Sequence, residues 1–273
     1  KFIQFEFYLQ WNALKQYANS NGIEIIGDIP IYMGYDSVDV WANQGEFQLD
    51  ENLTPIKVAG VPPDGFSADG QLWGNPLYDW KKHKETGYAW WIQRIAYCKK
   101  AYDVVRIDHF RGFDEYFSIP YGDTTARNGH WEKGPGYDLF KTVEESLGKL
   151  NVIAEDLGYL TDTVKQMVAD CGYPGMKVFE FAFDSRDSSG TSNYLPHNYT
   201  ENSVVYTGTH DNETMFGWLK NILPEERQML KDYLHYDGDD DTVLVDMSID
   251  CIMASVSDKC IVPMQDYLKL DNT

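Results

Sequence analysis

VVRIDHFRGF, residues 104–113, is the stretch on which the reading of this chain turns. Val104, Val105 and Ile107 make a short, nearly continuous apolar run that ends at an acidic residue, Asp108, before a turn rich in aromatic side chains. An apolar run of this kind suits a strand covered on both faces, which is the condition of a parallel sheet. Arg106 stands two residues before Asp108, so an extended backbone points both side chains to one face. A cation held there keeps Asp108 ionised at neutral pH.

Working outward, the same pattern recurs. Strands are predicted at 23–27, 104–107, 152–154, 178–183, 204–206 and 260–262, with helices at 11–19, 89–101, 139–147, 162–170 and 224–234 between several of them. Strand alternating with helix implies parallel pairing. Polar residues gather at the carboxyl ends of the strands: Asp28, Asp108, Glu155 with Asp156, and His210 with Asp211. In a (β/α)8 barrel the active site is built at that end. The expected fold is therefore α/β, an incomplete (β/α)8 TIM barrel with about six of its eight βα units in the chain. We expect one partial catalytic barrel over 1–273, interrupted by an active-site loop region at 30–80. That region is too long for an ordinary βα connection, and loops of such length in compact domains are usually functional. The acidic run 237–241 reads as a solvated turn.

Composition narrows the class of function. The chain has 273 residues, with Lys+Arg 23 against Asp+Glu 43 and a formal charge of −20. Such a balance repels phosphate backbones and anionic lipid, so neither nucleic acid nor membrane is expected as a partner. Aromatic residues make up 15%, including Trp 8 and Tyr 19, enough to fill a core and to leave flat faces for stacking on sugar rings. Cys98, Cys171, Cys251 and Cys260 show no paired spacing, and buried free thiols in a reducing cytoplasm are the expectation. No apolar run reaches bilayer length.

Retaining glycosidic chemistry needs one carboxylate to attack the anomeric carbon and a second carboxylic acid, about 5–5.5 Å away, to protonate the leaving oxygen. Asp108 and Glu155 hold the strand ends suited to that pair, and Asp211 supplies a third acid. An enolase-type site also places acids at strand ends, to hold Mg²⁺, but it requires a Lys or His base on another strand end, and none of the predicted strands ends in Lys. A glucan-binding protein without catalysis and a hydrolase with the same acids are the remaining alternatives.

The strings GDIPIY (27–32), VPPDGFSADGQLWGNPLYDW (61–80), RIDHFRGF (106–113), AEDLG (154–158), PGMKV (174–178), YTGTHDN (206–212) and PMQDYL (263–268) occur in this order over nearly the whole chain. In this the chain resembles the amylomaltase or disproportionating-enzyme family, the 4-α-glucanotransferases of the α-amylase clan. The resemblance implies transfer of α-1,4-glucan segments between maltooligosaccharides, with no cofactor and no metal. It makes Asp108 the nucleophile, Glu155 the general acid and then base, and Asp211 the stabiliser of an oxocarbenium-like transition state. Arg106, His109, His210 and Asn212 become sugar-binding partners, and Asp64 and Trp73 line donor subsites. Asp28 is expected to cap backbone amides, and Gln265 and Asp266 are left without an assigned role. Family members extend beyond this chain at both ends, so the open barrel edges are expected either to pair with a second copy or to be disordered.

Overall fold

The computed structural model describes residues 1–64, 67–158, 160–185 and 193–271. Gly65 and Phe66 of the VPPDGF string lie outside them. The chain forms two compact units, Lys1–Tyr173 and Pro174–Thr273.

The first unit carries a parallel sheet of β1 (Ile26–Ile29), β4 (Val104–Ile107) and β7 (Val152–Ala154), in the order β1-β4-β7. All four residues of β4 are buried, as expected of a central parallel strand. The register sets Asp28 beside Arg106 and Ile107 beside Ala154. Long helices α4 (Ala89–Ala101), α5 (Tyr137–Leu147) and α6 (Asp162–Cys171) accompany this sheet. Local chemistry sets their ends. Thr161 caps α6 by accepting from the Val164 amide at 3.3 Å, and Gly172 closes it at φ +67°, a left-handed conformation that glycine adopts without a Cβ clash.

The region predicted as a long loop is ordered into a second sheet. β2 (Lys57–Val61) and β3 (Gln71–Pro76) pair antiparallel, and β2 also pairs with β5 (Glu115–Pro120), which pairs with β6 (His130–Lys133). The insertion is thus drawn from two segments, one after β1 and one after β4. Short helices α2 (Val38–Ala42) and α3 (Trp80–Glu85) belong to the first segment. An aromatic cluster of Phe47, Tyr78, Trp80, His83, Trp90 and Trp91 joins it to α4, with Tyr78 and Trp91 almost wholly buried. Helix α1 (Phe2–Ser20) contrasts with the rest, since none of its residues is buried.

The second unit has its own parallel sheet, β8 (Gly175–Val178), β9 (Ser203–Tyr206) and β10 (Lys259–Ile261), in that order. Helices α7 (Met215–Asn221), α8 (Pro224–Leu234), α9 (Asp241–Met253) and α10 (Met264–Tyr267) complete it around a core that includes Phe179, Phe183, Leu230 and Leu244.

Three elements depart from the sequence expectation. The strand expected at 178–183 is a 3-10 helix, Phe179–Phe183, and the strand precedes it as β8. A run this short and this rich in apolar residues carries no period that separates strand from helix, and Phe181 is in fact exposed. The strand expected at 23–27 lies three residues later, which puts Asp28 inside β1. The acidic run 237–241 is a solvated segment only as far as Asp239: Asp240 is the N-cap of α9, accepting from the Thr242 amide at 2.9 Å, and Asp241 is the first helical residue. Carboxylates at a helix N-terminus satisfy its open amides and oppose its dipole.

Candidate active site

The guanidinium of Arg106 organises the ends of β1 and β4. Its Nη1 donates to both oxygens of Asp28, at 2.8 and 2.7 Å, and lies 3.2 Å from Oδ1 of Asp108. The Arg106 side chain is only 7% exposed, whereas those of Asp28 and Asp108 are 40% and 42% exposed. The cation is therefore sequestered and both carboxylates remain reachable from solvent. Burial opposes the charge of Arg106, but the Asp28 hydrogen bond, with the charges of Asp28, Asp108 and Glu155, outweighs it and holds the group above its ordinary value. Asp28 accordingly serves an ion pair with Arg106, whereas the sequence suggested a turn cap. Backbone bonds fix the position of Asp108, whose amide donates to the Ile29 carbonyl at 3.0 Å.

Glu155 follows β7 directly. Its Oε2 accepts from the His109 amide at 2.7 Å and its Oε1 from the Leu157 amide at 2.9 Å. Backbone bonds on either side, Glu155 N to Ile107 O at 3.1 Å and Phe110 N to Glu155 O at 3.0 Å, tie this strand end to that of β4. Burial is the largest influence on the carboxyl and lifts it above the ordinary glutamate range, and the charge of Asp108 adds to this. The two amide bonds and Arg106 pull the other way without cancelling it. Asp108 and Glu155 are thus two neighbouring carboxyls in different settings, one beside a guanidinium and one largely withdrawn from water, a pattern that separates acid from base roles.

His109 joins them with φ +52°, a left-handed conformation uncommon outside glycine. Strained backbone of this kind persists where surrounding structure over-determines it, and it clusters at functional sites. Burial, with Arg111 adding, pushes its imidazole down to about 3, so the ring is neutral at physiological pH. Trp73 meets the ring edge-on at 4.8 Å, and Tyr32 lies at 6.4 Å. His109 Nε2 and Tyr32 Oη are both buried without a hydrogen-bond partner. Tyr32 was missed in sequence, although it closes the GDIPIY string. A Cβ on Gly112 would approach His109 Cδ2 to 3.0 Å and Tyr32 Oη to 3.3 Å, so the glycine leaves room for both.

The other predicted residues fall into two groups. Trp73 reaches His109 from β3, while Asp64 is exposed and holds its own turn, accepting from the Ser67 amide at 2.8 Å. In the second unit His210 and Asp211 are exposed neighbours, with Nε2 to Oδ2 at 3.6 Å. Asn212 Oδ1 accepts from the Thr209 amide and hydroxyl, both at 2.9 Å, which fixes the turn carrying them. Asp266 is 1% exposed and binds Thr207 Oγ1 at 2.5 Å and the Met215 amide at 2.8 Å, the placement of a structural clamp. Among the described residues no group of three or more His, Cys, Asp or Glu side chains could hold a metal ion, and no helix is long and apolar enough to cross a membrane. All four cysteines are free thiols.

Parallel strands in alternation with helices, with carboxylates at the strand ends, define the class as an α/β barrel, here incomplete. The 4-alpha-glucanotransferase family matches residues 1–273, and the chain belongs to it. It is 48% identical to the Clostridium butyricum 4-alpha-glucanotransferase, over 100% of the chain and 55% of that protein. With the Streptococcus pneumoniae 4-alpha-glucanotransferase it shares 50% identity over 98% of the chain and 52% of that protein. The chain spans about half the length of these curated relatives. The amylomaltase from Streptococcus agalactiae, solved in complex with acarbose, superposes with a TM-score of 0.93 at 46% identity, over 98% of this chain and 53% of that one. This likeness identifies the fold as that of an incomplete (β/α)8 barrel.

Proposed function

We propose that the chain supplies catalytic machinery for retaining transfer of α-1,4-glucan segments, with Asp108 as nucleophile and Glu155 as acid and base. The observation that carries this reading is the pairing of Arg106-bound Asp108 with a half-buried Glu155 that two backbone amides hold in place. In the first step an Asp108 oxygen bonds to the anomeric carbon as the glycosidic C–O bond breaks, and protonated Glu155 gives its proton to the leaving oxygen. A glycosyl ester on Asp108 results. In the second step Glu155, now a carboxylate, takes the proton of an acceptor 4-hydroxyl as that oxygen displaces Asp108.

Arg106 keeps Asp108 anionic for attack, and His109, neutral beside it, is assigned a sugar contact that adds no charge. Trp73 presents an aromatic face at the same place. Asp211 is assigned the stabilisation of positive charge at the reacting sugar, with His210 and Asn212 as further sugar contacts and Asp64 at a donor subsite, as in the family this chain belongs to. The S. agalactiae amylomaltase was solved in complex with acarbose, and the family's description as 4-alpha-glucanotransferase supports maltooligosaccharides as substrates. Hydrolysis is the competing outcome if water reaches the glycosyl ester, and the insertion, whose Trp73 stands against His109, favours transfer by restricting water there. A cytoplasmic location is the reading supported by four free thiols, although relatives from Solanum tuberosum and Arabidopsis thaliana are described as chloroplastic/amyloplastic.

Incubation of the complete enzyme with maltotriose distinguishes the outcomes. We expect a ladder of longer and shorter glucans, enhanced release of short products when glucose is added as acceptor, and no ladder from Asp108→Asn, Glu155→Gln or Asp211→Asn. Simple accumulation of reducing ends with no longer products would assign the chain to hydrolysis.

A further inference from the structure

The second unit buries an acid that the mechanism above does not use. Glu180 is 6% exposed and lies in the 3-10 helix directly after β8. Phe179 and Phe183 on either side are packed into the core, so the turn is anchored around it. The Glu180 amide donates to the Thr207 carbonyl at 3.2 Å, at the end of β9. Its Oε1 has no hydrogen-bond partner and rests against Gly208, where an added Cβ would come within 3.0 Å of it. Three residues later on the same turn stands Asp211.

The charged groups around Glu180 make ionisation costly. Asp266, from α10, and Glu213, just before α7, are the charges acting on it, and both are carboxylates. Asp266 is committed to Thr207 and Met215, and Glu213 to the Asn221 amide at 2.9 Å. From α8, Tyr233 packs on Phe183 at 5.8 Å and Glu226 accepts from Ser185 at 3.2 Å, while the cations of this helix are engaged by other acids, Arg227 by Asp241 and Lys231 by Asp239 at 2.7 Å. Lys177 of β8 is engaged over the Tyr194 ring at 5.8 Å. A carboxylate at this position would be desolvated and repelled with nothing to offset it.

We propose that Glu180 is a positioning residue that stays uncharged in the working enzyme and braces the Thr207–Asn212 turn so that Asp211 keeps its place. This rests on the role assigned to Asp211 in the proposed function. Burial, then the charges of Asp266 and Glu213, push the carboxyl up to about 9. Above that range the new charge is relieved only if the turn against Gly208 moves, and Asp211 moves with it.

Between the ordinary glutamate value of 4.5 and about 9 the folded chain retains a proton that the unfolded chain has released. Stability therefore falls as pH rises through this window, and a glutamine at 180 is spared that loss. Glu180→Gln should melt at a higher temperature relative to wild type at about pH 8 than at about pH 5, with the offset growing by at least ~2 °C. In the complete enzyme it should keep kcat within about twofold of wild type near neutrality, and the ratio of its kcat to that of wild type should climb as pH approaches the point where Glu180 ionises. That ratio cancels any limb due to Glu155. Glu180→Leu should lower kcat roughly tenfold with little change in KM. If the leucine variant does not fold, the glutamine variant alone decides. A melting offset that is the same at both pH values, or a glutamine variant as slow as the leucine variant, overturns the proposal. The melting comparison needs no glycosyl transfer, so absence of transfer in wild type indicts the site reading while a flat offset indicts Glu180.

Discussion

Asp28 and Asp108 share one buried guanidinium, and with Asp108 as the proposed nucleophile this arrangement makes Asp28 a partner in setting it. Removing its charge leaves Arg106 with a single carboxylate and frees it to swing toward Asp108. Charge-assisted hydrogen bonds of this kind contribute roughly 1.5–3 kcal/mol, and the partial exposure of Asp28 places the effect at the lower end. Asp28→Asn should therefore reduce kcat by about tenfold with little effect on melting, as steady-state kinetics on maltotriose would report; unchanged kcat would make the pair merely structural. Glu155 gives a pH prediction. It must be protonated for the first step, and burial raises its carboxyl, so activity should fall as pH climbs through that raised value, on the alkaline side of an ordinary glutamate. A kcat profile whose alkaline limb lies at the ordinary glutamate value would contradict this. Asp108 and Glu155 were legible in sequence because each ends an apolar strand run. The Asp28 ion pair was not, because it depends on the register between strands 78 residues apart, which no local pattern encodes.

At the scale of elements, caps and buried strands followed local rules and the inserted sheet did not. Strands 104–107 and 152–154 and helices 89–101 and 224–234 fall where periodicity and polar punctuation placed them. β2 and β5 are neighbours although 115–120 follows 57–61 only after β3, α3, α4 and β4, so no hairpin signal announced the pairing. The run FEFAF misled because buried 3-10 and strand segments look alike in composition. The caps themselves are testable. Thr161→Ala removes the acceptor for the Val164 amide and should destabilise α6 by about 1 kcal/mol, seen as a lower melting temperature with kcat intact. No change in melting would mean that water replaces the hydroxyl at no cost. Trp73→Ala should raise KM for maltotriose several-fold, on the order of one stacking contact, while an unaltered KM would confine Trp73 to packing against His109.

For the molecule as a whole, the feature that composition could not convey is α1, whose Phe2, Ile3, Phe5, Phe7, Leu9 and Tyr17 are each more than half exposed. Apolar area of that extent on a soluble chain is ordinarily covered. The 273-residue chain by itself is therefore expected to self-associate, and light scattering that reports a well-dispersed monomer across concentrations would contradict this.

In the proposed reaction Asp108 becomes covalently glycosylated while Glu155 governs the proton. This is tested most directly with Glu155→Gln and α-glucosyl fluoride, a donor whose leaving group needs no acid. Peptide mass spectrometry of the quenched protein should then find one glucosyl residue on the peptide bearing Asp108, accumulated because the base of the second step is missing. No adduct, or an adduct on any other side chain, would contradict the account.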